Sequence, residues 1–78
     1  MPTGLPTEEF IKFGARLRQL RIKKGLSQAE MVDISGGLLR MGSVIAIENG
    51  KYNVGMSQVL AYVRLLGYKL EPIEYPPT

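Results

Sequence analysis

Apolar residues recur along this chain of 78 residues at helical spacing, and glycines interrupt them. Phe10, Phe13, Leu17 and Leu20 lie three or four apart and form one stripe of a first helix. Thr7 is placed to cap its start, and Glu8 and Glu9 follow in the first turn, where carboxylates offset the helix dipole. Gly14 falls on the apolar side. A glycine inside a helix costs roughly 1 kcal/mol against alanine, so this one predicts the close approach of another helix. Lys23 and Lys24 close the helix and Gly25 stops it.

A second, short helix begins after Leu26, which acts as a staple. Ser27 to Glu30 fits the Ser-x-x-Glu capping box, and Ala29, Met31, Val32 and Ile34 are the apolar positions. Ser35-Gly36-Gly37 breaks it. A third helix is predicted from about Leu39 to Glu48, with Met41 or Val44 and then Ile47 inward, ended by Asn49-Gly50. Met56, Val59, Leu60, Val63 and Leu66 define a fourth helix, stopped by Gly67.

The pattern then changes. Tyr68-Lys69-Leu70-Glu71 alternates apolar and charged residues, the period of a strand, and Pro72 restricts it to an edge or a bulge. A lone strand cannot satisfy its own backbone, and the same strand of a second copy is its simplest partner. Tyr68, Leu70, Ile73 and Tyr75 are the predicted dimer contacts; the alternative is a frayed tail that leaves them wet. Residues 1–6, with two prolines and a glycine, read as a disordered tail. The expected organisation is an all-α fold of four to five helices over residues 7–67, with a short C-terminal β-strand or tail over 68–78.

Composition narrows the chemistry. Cysteine and histidine are absent, so thiolate and imidazole metal sites, Cys-His and Ser-His catalysis are excluded. The carboxylates are scattered near helix ends, so no acid–base constellation is expected, and neither enzyme nor cofactor is predicted. No apolar run approaches a membrane span and the N-terminus lacks a signal-peptide pattern, which makes a cytoplasmic protein the expectation. The net charge of +3 is mild, but Lys12, Arg16, Arg18, Arg21, Lys23 and Lys24 crowd a stretch without an acid. That asymmetry fits an anionic partner as well as a solvated helix face.

Three blocks now stand in order: Gly14-x-x-Leu17-Arg18-x-x-Arg21, Gly25-Leu26-Ser27-Gln28-Ala29-Glu30 and Ile47-Glu48-Asn49-Gly50-Lys51. Together they resemble the helix-turn-helix family of phage repressors and Cro, the Xre-type regulators, over about residues 10–67. The resemblance implies a repressor-like fold whose second helix crosses the DNA backbone and whose third enters the major groove. It implies that Arg21 pairs with Glu48 as a structural clasp, the bidentate contact that arginine and carboxylate favour. It implies that Gln28 bonds a phosphate, although a simple capping contact also fits. Asn49, Lys51 and the Gly50 backbone match the loop that grips the phosphate chain, and Arg18 and Lys24 are expected to add phosphate contacts.

Two departures matter. The stretch between Gln28 and Glu48 is longer than the family spacing by about two residues, at Ser35–Leu39, which predicts a looser turn. The third helix is also poor in base readers. Its outward positions are Arg40, Met41, Gly42, Ser43, Ile45 and Ala46, and only Arg40 can read a base bidentately. Ser43 offers one flexible contact; Met41, Ile45 and Ala46 can touch thymine methyls. Alternatively, Met41 and Ile45 are buried or form a patch for a protein partner.

The tail from Leu66 to Ile73 also resembles antitoxins of the persister-kinase type, which implies a toxin partner and autorepression of an operon. The leading expectation is a homodimeric transcriptional regulator, a repressor, on palindromic double-stranded DNA. The alternatives are such an antitoxin, or a protein-interaction module that has lost base reading.

Overall fold

The computed structural model describes residues 6–51 and 54–72. Four helices account for most of them: α1 (Pro6–Lys23), α2 (Gln28–Ile34), α3 (Met41–Glu48) and α4 (Met56–Leu65). The first helix starts at Pro6, one residue before the predicted Thr7 cap. Proline suits a first helical position, because the amide hydrogen it lacks has no intrahelical partner there. The remainder of the predicted disordered tail, residues 1–5, lies outside the described residues.

Three of the helices end in the same way. Leu26 N–H bonds Arg21 O at 3.1 Å, Lys51 N–H bonds Ala46 O at 2.9 Å and Tyr68 N–H bonds Val63 O at 3.1 Å, each across a glycine. These back-bonds satisfy carbonyls that the helices leave unpaired. The capping box of α2 forms as expected, with Glu30 N–H on Ser27 Oγ at 3.0 Å and Ser27 N–H on Glu30 Oε1 at 2.7 Å.

The core comprises Leu17, Met31, Leu39, Val44, Ile47, Tyr62, Val63 and Leu66, one or more from every helix. Of the predicted stripes, Phe13, Leu20, Val32 and Val59 pack at its margin. Other positions are corrected. Met41 is 40% exposed, so Val44 takes the inward place on α3. Ile34, Met56 and Leu60 also face solvent, and Ala29 is exposed. Tyr62, not among the predicted core residues, is fully buried.

Gly14 behaves as its sequence position predicts. A Cβ there would run into the Ile47 carbonyl oxygen and come within 2.9 Å of the Glu48 carbonyl oxygen. From the other side, Gly50 has φ of 75°, and a Cβ on it would lie 2.5 Å from Ile11 Cα. Glycines on both partners therefore let the backbone of α1 touch the end of α3, which fixes how α3 leaves the core.

The predicted C-terminal strand is not present among the described residues. Residues 68–72 follow Gly67 without helix or ladder. The two-residue alternation does put Lys69 and Glu71 on one side, 3.1 Å apart. A strand, however, needs a neighbour to bond, and the described residues supply none. Ile73 and Tyr75 lie outside the described residues.

Candidate nucleic-acid interface

The site is built from the inner face of α3 outward. Glu48, at its last turn, is buried beneath α1 and α4. Arg21 of α1 meets it with two nitrogens, Nε to Oε2 at 2.6 Å and Nη2 to Oε1 at 3.2 Å. The third guanidinium nitrogen donates to Leu26 O at 2.7 Å, which ties the clasp to the α1–α2 turn. Gln28 Nε2 donates to Glu48 Oε1 at 3.0 Å, and the Tyr62 hydroxyl donates to Glu48 Oε2. One carboxylate thus gathers all the other helices onto α3.

Burial alone would raise the Glu48 carboxyl, but the donors from Arg21, Tyr62 and Gln28 outweigh it and hold it below the usual carboxylate range. The Tyr62 phenol, buried and facing that carboxylate, is pushed above its ordinary value. Arg21, hydrogen-bonded to Glu48, is raised in turn. No buried side-chain nitrogen or oxygen among the described residues lacks a partner. The ionised cluster is therefore fully satisfied, the condition under which a buried polar network fixes one geometry.

The lengthened turn before α3 is stitched rather than loose. Ser35 Oγ donates to Val32 O at 2.7 Å and accepts Leu39 N–H at 3.0 Å. Gly36 and Gly37 take φ of 64° and 96° to carry the chain round. Leu39, only 1% exposed, then anchors the chain in the core, so α3 begins at Met41 rather than at Leu39. Ser35 read as a breaker in the sequence; its hydroxyl is what closes the turn.

The outer face of α3 is the opposite in kind. Val44, Ile47 and Glu48 point inward, while Met41, Gly42, Ile45 and Asn49 are exposed and Ser43 and Ala46 are half-buried. Arg40 caps the helix through its backbone, with no side-chain capping bond, and is exposed. Lys51 is exposed just beyond the other end. The face is thus bracketed by cations, and the carboxylate of α3 itself is buried and paired.

The structure places the remaining predicted residues less centrally. Arg18 is exposed on α1. The Lys24 ammonium lies 5.7 Å from the Tyr68 ring centroid, a cation–π contact that turns it toward the C-terminal segment. Gln28, whose amide nitrogen holds Glu48, is a member of the clasp first. Sequence reading missed that bond and the Tyr62 hydroxyl. A tyrosine three residues after Val59 and four before Leu66 carried the periodic signal for burial, but its hydroxyl had no sequence marker.

Among the described residues no group of three or more histidine, cysteine or acidic side chains could hold a metal ion. No described helix is long and apolar enough to cross a membrane.

This geometry, a short helix held by a buried clasp with its outer face offered to solvent after a stitched turn, is that of a helix-turn-helix unit. Residues 12–74 match the family described as helix-turn-helix domain, and the chain belongs to that family, among the Xre-type DNA-binding transcriptional regulators. It is similar in structure to the restriction-modification controller protein C.AhdI from Aeromonas hydrophila, with a TM-score of 0.67 and 37% identity. The likeness covers 80% of this chain and 91% of that one. No curated protein matches.

Proposed function

We propose that this protein is a sequence-specific repressor that binds a palindromic operator as a homodimer, with α3 in the major groove. The observation that carries the reading is the division of α3 into a locked inner face and an open outer face between Arg40 and Lys51. Arg40, Met41, Gly42, Ser43, Ile45 and Ala46 would meet the groove. Gln28, Asn49, Lys51 and Arg18 would meet phosphates, and the uncapped first turn of α3 would favour another. The likeness to a restriction-modification controller favours control of genes of such a system.

Exposed apolar surface on one side supports the homodimer. Leu60, Tyr68 and Leu70 are 37%, 46% and 39% exposed, and Leu70 also lines an apolar groove of about 510 Å³ with Phe10, Phe13, Val54 and Val59. Burying such surface is the usual gain in a second copy. The antitoxin alternative rests on residues 66–73 alone.

Selection of bound sequences from a random duplex pool tests the proposal. The expected result is an enriched inverted repeat with half-site centres about 34–36 Å apart. Binding should weaken with salt by a log–log slope of roughly −0.9 per phosphate neutralised. Failure to enrich any sequence, with retained binding to a protein partner, would favour the interaction-module reading instead.

A further inference from the structure

The outer face of α3 raises a question of its own, because it carries almost nothing that reads bases by hydrogen bonding. Met41 and Ile45 stand one helical turn apart on the same side, 40% and 41% exposed. Gly42 beside them has open space where a side chain would be. Cations flank this apolar stripe, Arg40 before it and Lys51 beyond it, and the acid of α3 is turned inward. The charge fits a polyanion and the stripe fits an apolar group within it. In the major groove the apolar group at the base edges is the pyrimidine 5-methyl.

We infer that Met41 and Ile45 read pyrimidine 5-methyl groups, so that thymine defines the preferred site and 5-methylation of cytosine there raises affinity. The inference rests on the proposal that α3 enters the groove. Thymine presents this methyl, and cytosine lacks it until methylated at the same ring carbon. A protein that senses the methyl rather than the donor and acceptor pattern treats methylcytosine as closer to thymine than cytosine is. It therefore responds to the modification state of its site as well as to its sequence.

The test starts from duplexes that the full chain enriches from a random pool. These are resynthesised with uracil in place of thymine, one position at a time. Each methyl that α3 buries should be worth roughly a fourfold change in Kd, the value of one apolar carbon removed from water. At the same positions a cytosine–guanine pair should bind weakly and recover a similar factor when the cytosine is 5-methylated. The Ile45→Ala and Met41→Ala variants, both at exposed positions, should fold normally and bring the thymine-to-uracil ratio toward one. That control separates contact from DNA stiffness, since a shape effect would persist in the variants.

Equal binding of thymine and uracil duplexes would overturn the inference and leave the DNA-binding proposal standing. A uracil penalty undiminished in both variants would overturn the assignment to Met41 and Ile45. Absence of any enriched duplex would overturn both the inference and the proposal beneath it.

Discussion

The two faces of α3 obey different rules, and one glycine on each side, Gly14 of α1 and Gly42 of α3, makes this plain. On the inner side, Val44 and Ile47 are in the core, Glu48 is held by donors from three helices, and Gly14 of α1 is small because the α3 backbone leaves no room. On the outer side, Gly42 has ordinary helical backbone and open space where a Cβ would be, and Met41 and Ile45 are about two-fifths exposed. Packing dictates the inner residues. Among the described residues nothing fills the space beside Gly42 or covers Met41 and Ile45, so the proposed groove contact is where their explanation is sought.

The largest effect expected is on the inner side. Glu48→Ala leaves the Arg21 guanidinium buried without its counter-ion, a change that costs roughly 3–5 kcal/mol. A domain of this size loses about 4–8 °C of melting temperature per kcal/mol, so calorimetry or thermal circular dichroism should read a drop beyond 10 °C or no cooperative fold at all. A melting temperature near that of the parent chain would mean the clasp does not hold α3. Glu48→Gln, which keeps a polar group before Tyr62 and Gln28, should cost less.

Gly14→Ala comes next. The added methyl meets backbone carbonyls of Ile47 and Glu48, which cannot swing aside as a side chain can. Overpacking of this kind costs typically about 1–3 kcal/mol. Because relief requires α1 and α3 to part, DNA affinity should fall as well as stability. Loss of stability with unchanged affinity would separate the α1–α3 contact from the aim of α3.

Acid titration probes the same cluster without mutation. The folded-state pKa of Glu48 is depressed, so its contribution is present above the unfolded carboxyl value of about 4.3 and is lost as pH falls through the folded value. The Tyr62 phenol shifts the other way, so its contribution holds below the unfolded value of about 10 and is lost as pH rises beyond it. Melting temperature against pH should therefore fall off on both sides, and Glu48→Gln should flatten the acid limb. An acid limb unchanged in that variant would assign it to other carboxylates.

The same division explains how much the sequence disclosed. Gly14, the Ser27–Glu30 box and the stops at Gly25, Gly50 and Gly67 were legible because each is a local answer to a local backbone need. The Arg21–Glu48 clasp was legible through its family motif. The other donors to Glu48 were not, since Gln28 and Tyr62 lie 20 and 14 residues away and no spacing rule links them. The Ser35 stitch was hidden because serine before two glycines reads as a breaker whether or not its hydroxyl is used. The strand expected at Tyr68–Glu71 had the correct alternation, but a ladder requires a partner outside the segment. The outer face was legible as composition and silent as purpose, because no contact among the described residues accounts for it.

Gly42→Ala turns that last point into a measurement and carries the smallest expected stability change. The position is helical and exposed, and a Cβ on it would meet nothing within 4 Å beyond its own helix, so alanine should stabilise α3 by roughly 0.5–1 kcal/mol and raise the melting temperature by several degrees. If the missing side chain gives clearance to the edge of a duplex, the same variant should bind its selected operator more weakly, with salt dependence unchanged because no phosphate contact is lost. Stability and affinity then move in opposite directions from one methyl group. At Gly14 the two fall together, and the contrast separates a glycine kept for the fold from one kept for the ligand. A Gly42→Ala variant that is both more stable and equally tight in binding would show that the duplex does not approach the helix backbone there, and the account of the outer face would have to rest on Ile45 and Met41 alone.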